Sequence, residues 1–218
     1  VILVPDDGKE MASGLQAMVQ DVNEKEVAPK ERLSNGAYHY DSRDKVFERA
    51  RRLLDIGTGS GCIAISLDKK LPEAEVEAWD ISEDALAIAR ENNKELAADV
   101  TFLQRDVLSD DWKKAPSFDV IVSNPPYVTE AEKKDMDANV LDWEPELALF
   151  VPDDDPLRFY RRIADLGREL LLPDGKLYFE VNQAYGRETA HILEMNQYHD
   201  VRVIRDIFGK ERIVTANR

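Results

Sequence analysis

The run Phe118-Asp119-Val120-Ile121-Val122 leads directly into Ser123-Asn124-Pro125-Pro126-Tyr127. A residue ahead of proline is driven to an extended backbone, and two successive prolines have fixed φ and no N–H. The segment therefore offers acceptors and few donors. The Asn124 side-chain oxygen and the Pro125 carbonyl can each take one N–H of a planar NH2 group. Pro126 stiffens the path between them and Tyr127, which can stack on the flat group that carries the nitrogen. Held so, the nitrogen lone pair is aimed at an incoming electrophilic carbon, and the acceptors stabilise the positive charge that develops in the transfer. No general base with a pKa near neutrality is needed before that bond forms. The plainer alternative is a proline-rich stop to an edge strand, but the run is apolar in the manner of a central strand.

A second constellation, Leu53-Leu54-Asp55-Ile56-Gly57-Thr58-Gly59-Ser60-Gly61, reads as a buried strand entering a glycine-rich turn and then a helix. Glycines in such a turn let a ligand approach the backbone closely. The dinucleotide fingerprint G-x-G-x-x-G is a rival reading, but here the third glycine comes one residue early, and Asp55 sets a negative charge where a pyrophosphate would be unwelcome. A cationic ligand without phosphate suits residues 55 and 57–61 better. Downstream, Asp80 follows an apolar run and is placed to accept both hydroxyls of a ribose, with Ile81 beside it. After a third run, Asp106 can meet an adenine amino group, with Val107 against the ring. His39, His191, His199 and Cys62 lack ligand-like spacing, so they are assigned to structure or surface, and no metal site is expected.

These residues need a scaffold that brings successive strand ends to one edge. From about residue 51 onward, short apolar runs alternate with helical patterns, the signature of βα units and a parallel sheet. Strands are predicted over 53–56, 76–79, 100–103, 118–122, 176–181, 201–205 and 212–216. Helices are predicted over 62–70, 83–96, 157–172 and 186–195. Ser82 can cap the second helix, with Glu83 and Asp84 favourably placed in its first turn. Asp174-Gly175 marks the turn into the fifth strand. Arg158, Arg161, Arg162 and Arg168 fall on one helix and read as a solvated face.

Residues 1–50 form a separate region. Met11, Leu15, Met18 and Val22 recur at helical spacing, and the polar stretch 23–44 has no clear period and reads as loop. The segment 128–155 is long for a connection inside a compact domain, which suits a lid or substrate wall.

A chain of 218 residues with 43% hydrophobic content accommodates one α/β domain and a modest appendage. Twenty-nine basic against 44 acidic residues give a net charge of −15, which opposes generic attraction to nucleic acid or anionic lipid. No apolar run approaches the roughly 20 residues that span a bilayer. One cysteine precludes an internal disulfide and suits a reducing compartment, so the expectation is a cytoplasmic protein, acting as a monomer.

At the glycine turn, Asp80 and Asn124-Pro125-Pro126-Tyr127 the chain resembles class I methyltransferases carrying an Asn-Pro-Pro-Tyr motif. More narrowly it resembles the PrmC/HemK family of protein-glutamine N5-methyltransferases, through Trp143-Glu144-Pro145, Ala148-Leu149-Phe150-Val151, Glu180 and the segment from Asp206 to Arg212. The resemblance implies a Rossmann-like, mostly parallel seven-stranded sheet of order 3-2-1-4-5-7-6. It implies S-adenosylmethionine as methyl donor and S-adenosylhomocysteine as product. It further implies that the donor is held by Asp55, Gly57, Thr58, Gly59, Ser60, Gly61, Asp80, Ile81, Asp106, Val107 and Asn124. The acceptor it implies is the glutamine of the Gly-Gly-Gln loop in bacterial peptide chain release factors. The family begins with a helical domain, for which the chain has no room. Val1 to Pro5 looks like the end of its connecting hairpin, although Asp6 to Glu10 depart from the family pattern. An adenine-N6 methyltransferase on DNA or RNA remains the alternative, since an exocyclic amine offers the same two N–H groups. A non-catalytic module that keeps the fold and the cofactor is the third reading.

Overall fold

The computed structural model describes residues 31–32, 38–39, 52–109, 117–129, 150–206 and 208–218. Alternation of apolar residues fixes its centre. In β3 (Arg52–Ile56), Leu53 and Leu54 are both fully buried but join different apolar clusters. Leu53 packs with Ala64, Ile65 and Leu86; Leu54 packs with Tyr160, Ile163 and Leu177. A strand buried on both faces is what a parallel sheet between two helical layers requires.

Four further strands, β4 (Glu75–Asp80), β5 (Val100–Gln104), β6 (Phe118–Ser123) and β9 (Leu171–Glu180), run parallel with β3. Then β10 (His199–Arg205) and β11 (Glu211–Asn217) complete the sheet, with β11 antiparallel to both of its neighbours. The order is β10-β11-β9-β6-β3-β4-β5. Counted along the chain from β3, this is 3-2-1-4-5-7-6, as the resemblance implied.

The helices are α1 (Cys62–Lys70), α2 (Glu83–Glu95), α3 (Arg158–Leu170) and α4 (Gly186–Met195). The Ser82 side chain caps α2, accepting from the Ala85 N–H at 3.2 Å. α3 is seated by Tyr160, Ile163, Leu166 and Leu170, and the Tyr160 ring meets Phe179 edge-on at 5.2 Å.

Four expectations are corrected. The helix expected over 157–172 ends at Leu170, because Leu171 is fully buried and pairs with Phe118, starting β9 five residues early. Asp174-Gly175 is therefore not the turn before a strand but an excursion within one. Between Phe118 and Val120 on β6, the partner on β9 advances from Leu171 to Lys176, and Asp174 takes a left-handed φ of 63°. The polar stretch 23–44 contains an antiparallel pair, β1 (Glu31–Arg32) with β2 (Tyr38–His39). The signal for it is Asn35-Gly36, a hairpin dipeptide lying between the two in sequence. The segment 128–155 is also not strandless, since β7 (Val128–Thr129) pairs in parallel with β8 (Phe150–Val151). The expected helix around Met11–Val22, and Trp143-Glu144-Pro145 with Ala148-Leu149, lie outside the described residues.

Candidate active site

The carboxyl ends of β6, β3, β4 and β5 lie side by side, and between β3 and β6 the direction of strand order reverses. Ligands of open α/β sheets bind in the crevice outside such a switch point. Ser123 at the end of β6 donates its hydroxyl to the Ile56 carbonyl at 2.7 Å, a buried bond that locks the two strand ends together. Immediately beyond them come the glycine turn on one side and Asn124 on the other.

The turn is built on left-handed backbone at Gly57, Gly59 and Gly61, with φ of 74°, 54° and 82°. The Gly57 and Thr58 N–H groups both donate to the Trp79 carbonyl, at 2.8 and 3.0 Å. The glycines differ in purpose. A Cβ on Gly61 would meet Ala89, Ile65 and Phe102 at 3.1–3.3 Å, so this position is small for packing. A Cβ on Gly57 would lie 3.7 Å from the Asn124 carbonyl oxygen, so the two constellations stand in contact. At Gly59 a Cβ would find nothing within 4 Å, leaving open space in which a ligand can meet the backbone.

Two carboxylates flank the turn. The Asp80 carboxylate accepts from the Gly59 N–H at 2.8 Å and the Ser82 N–H at 2.9 Å, tying the glycine turn to the start of α2. Asp55 is fully buried, and its Oδ2 accepts from the Thr58 hydroxyl at 2.7 Å, while Oδ1 is buried with no hydrogen-bond partner. Burial pushes the Asp55 carboxyl up from 3.8 to about 7, with the Thr58 bond working the other way. An orphaned carboxylate oxygen beside an open glycine backbone suits a cationic ligand and disfavours a pyrophosphate. The residues present thus fit S-adenosylmethionine, the methyl donor that the resemblance implies.

The remaining expected donor residues follow. Ile81 is half exposed next to Asp80, and Gln104 donates to its carbonyl at 3.0 Å. The Arg105 N–H donates to the Asp80 carbonyl at 2.8 Å, bringing Asp106 and Val107 to the same edge. Asp106 Oδ1 accepts from the Leu108 N–H at 2.9 Å, so this carboxylate shapes its own turn. Ser60 is exposed, and its carbonyl accepts from Asn92 of α2 at 2.9 Å. On the acceptor side Pro125 is buried, and Asn124, Pro126 and Tyr127 are half-buried. The Asn124 side chain makes no hydrogen bond among the described residues, so its amide is available. Tyr127 packs against the core cluster that holds Tyr160.

Sequence reasoning missed the braces: Ser123, Asn92, Gln104 and Arg162. Only Ser123 sits in a motif, where the sequence assigns it no role, and each acts through a backbone carbonyl distant in sequence. Arg162 also corrects the reading of the α3 arginines as one solvated face, since it donates from Nε to Val107 O at 3.0 Å and from Nη2 to Ser109 O at 2.6 Å. Arg161 is exposed and pairs with Asp155, and Arg168 lies over the Tyr198 ring at 5.5 Å. Glu180 is buried at the end of β9, and the Tyr160 hydroxyl donates to its carbonyl at 3.1 Å. Asp206 accepts from the Phe208 and Lys210 N–H groups and from Arg212, which together outweigh its burial and hold its carboxyl below the usual range. Among the described residues no group of three or more His, Cys, Asp or Glu side chains could hold a metal ion. Nor is any described helix long and apolar enough to cross a membrane.

A seven-stranded sheet in this order, with a glycine turn and an acidic strand end at its switch point, defines a class I methyltransferase. Residues 42–142 match the methyltransferase small domain, and residues 1–42 match a family of unknown function, DUF5688. The solved ribosomal protein L11 methylase of Lactobacillus delbrueckii subsp. bulgaricus shares the fold, with a TM-score of 0.55 at 18% identity over 93% of this chain and 76% of that one. Among curated proteins, the release factor glutamine methyltransferase of Bacteroides thetaiotaomicron is 76% identical over 169 residues, 78% of this chain and 61% of that protein. The protein of the same name from Flavobacterium psychrophilum is 48% identical over 76% of this chain and 58% of its own length. Over more than three quarters of its own length the chain is thus similar to release factor glutamine methyltransferases. It spans about three-fifths of the length of these curated relatives.

Proposed function

We propose that this chain transfers the methyl group of S-adenosylmethionine to the side-chain amide nitrogen of a glutamine, in the Gly-Gly-Gln loop of peptide chain release factors. The observation that carries the reading is the close approach of the Asn124 backbone to Gly57, where an added Cβ would lie 3.7 Å from the Asn124 carbonyl oxygen, which supports an acceptor segment beside the glycine turn. The 76% identity to a protein named for that activity supports the choice of acceptor. In this reading residues 51–218 form the catalytic domain, residues 1–50 form a separate N-terminal unit, and the protein works in the cytoplasm as a monomer.

The donor supplies an electrophilic methyl on a sulfonium. Asp80 takes the ribose hydroxyls with lone pairs left over from its two backbone bonds. Asp106 and Val107 take the adenine, and the orphaned Asp55 oxygen favours the positive charge. Asn124 Oδ1 and the Pro125 carbonyl accept the two amide N–H groups, and Tyr127 stacks on the amide plane. An amide nitrogen is a poor nucleophile because its lone pair is delocalised into the carbonyl. Catalysis then rests on orientation and on acceptors that gain strength as nitrogen becomes positive. Water need only carry the proton away after transfer.

The test offers the protein and labelled donor three acceptors: a purified release factor, the same factor with the glutamine replaced by glutamate, and an adenine-containing oligonucleotide. Mass spectrometry should place one added methyl on the glutamine of the first and none on the other two. Methylation of the oligonucleotide but not of the factor would overturn the reading in favour of an adenine acceptor.

A further inference from the structure

We infer that Arg162 on α3 is the positioning residue for the adenine end of the donor site, acting through the backbone carbonyls of Val107 and Ser109. This rests on the donor-binding reading above. The turn after β5 spends its N–H groups internally: Leu108 N on Asp106 Oδ1 at 2.9 Å and Ser109 N on Asp106 O at 3.1 Å, with the Ser109 hydroxyl on the same carbonyl at 2.9 Å. Such a turn is rigid within itself but not aimed. Aim comes from its two ends. At one, the Arg105 N–H is fixed to Asp80 O at 2.8 Å. At the other, the Arg162 fork grips Val107 O and Ser109 O at 3.0 and 2.6 Å.

A guanidinium suits this because its donors diverge in one plane and it never loses its charge. α3 can serve as the fixed post because Tyr160 and Ile163, on either side of Arg162 along the chain, are fully buried. Asp106 lies between the two anchors and Val107 is held at the second, so the direction in which they present a carboxylate and an apolar edge is set by a side chain 55 residues away from Val107.

The experiment uses the full chain and two variants, Arg162→Ala and Arg162→Lys, with S-adenosylhomocysteine and S-inosylhomocysteine as probes. The second probe carries oxygen where adenine carries NH2. Arg162→Ala should weaken S-adenosylhomocysteine binding about 10-fold by calorimetry and raise KM for the donor similarly, with kcat within about 3-fold. Its preference for adenine over hypoxanthine should shrink toward unity. Arg162→Lys, with one donor point in place of a fork, should recover part of the affinity and of the preference. Affinity and preference both within 2-fold of wild type in a folded Arg162→Ala protein would overturn the inference. So would a parallel fall of kcat, affinity and melting temperature with the base preference intact, since that is the mark of a merely structural residue. Should Arg162→Ala not fold, the lysine variant decides by the same criteria. Absence of S-adenosylhomocysteine binding by the wild type would overturn the donor-binding reading itself, a distinguishable result.

Discussion

The two halves of the crevice are finished to different degrees. On the donor side the polar groups at the crevice edge are mostly engaged: Asp80 holds two N–H groups, Trp79 O accepts two more, and Ser60, Ile81 and Val107 carbonyls are each gripped by a side chain from elsewhere. On the acceptor side the backbone is fixed by prolines, while the Asn124 amide is bonded to nothing among the described residues. In the proposed reading the donor half is preorganised for one ligand, and the acceptor half is completed by its substrate. A buried polar group is costly when unpaired, so a half-buried free amide marks the place where a partner's N–H belongs.

The sharpest way to break that contrast is Asn124→Ala. It should lower kcat by about 10²–10³-fold, as loss of one positioned polar group does, and leave S-adenosylhomocysteine affinity within about 2-fold. Steady-state kinetics beside calorimetry reads both. Retention of more than a third of wild-type turnover would remove Asn124 from the chemistry.

Asp55→Asn probes the one donor-side group that is not satisfied. With its carboxyl raised from 3.8 to about 7, the folded protein holds this proton more tightly than the unfolded chain does. Its contribution to stability is therefore fully present below about pH 4, declines as pH rises toward 7, and is constant beyond. The asparagine variant lacks that decline. Relative to wild type it should gain on the order of 2–4 kcal/mol between pH 4 and pH 8 in urea unfolding. A difference independent of pH would mean that Asp55 is ionised without penalty.

Asp80→Ala should have the smallest effect of the three, weakening S-adenosylhomocysteine by about 1–3 kcal/mol through loss of charge-assisted bonds. Its kcat at saturating donor should stay close to wild type, the reverse of the Asn124 pattern. Equal losses in both parameters for both variants would erase the division between the halves.

Helix positions and both constellations were legible in the sequence because each depends on local pattern: apolar runs, capping Ser82, glycines before a helix, prolines after a strand; strand order came only from the family resemblance. What was not legible depends on reach. Arg162 reads as a surface arginine in a helical wheel, yet its length carries it to carbonyls of a turn more than fifty residues earlier. Leu171 reads as the end of a helix, because nothing local reveals that Phe118 will claim it as a strand partner. The hairpin of Glu31–Arg32 with Tyr38–His39 is only two residues on each side, too short for alternation to show.

The pairing of Val128–Thr129 with Phe150–Val151 has a consequence for how such enzymes diversify. It brings together the two ends of the insertion 130–149 and fastens them just beyond Tyr127, so the sheet is insulated from whatever happens between them. Closing a longer insertion at a fixed neck costs little, about 0.6 kcal/mol for a doubling of length. Changes of length in that stretch can therefore be absorbed at the neck, leaving the strands on either side of it paired as they are.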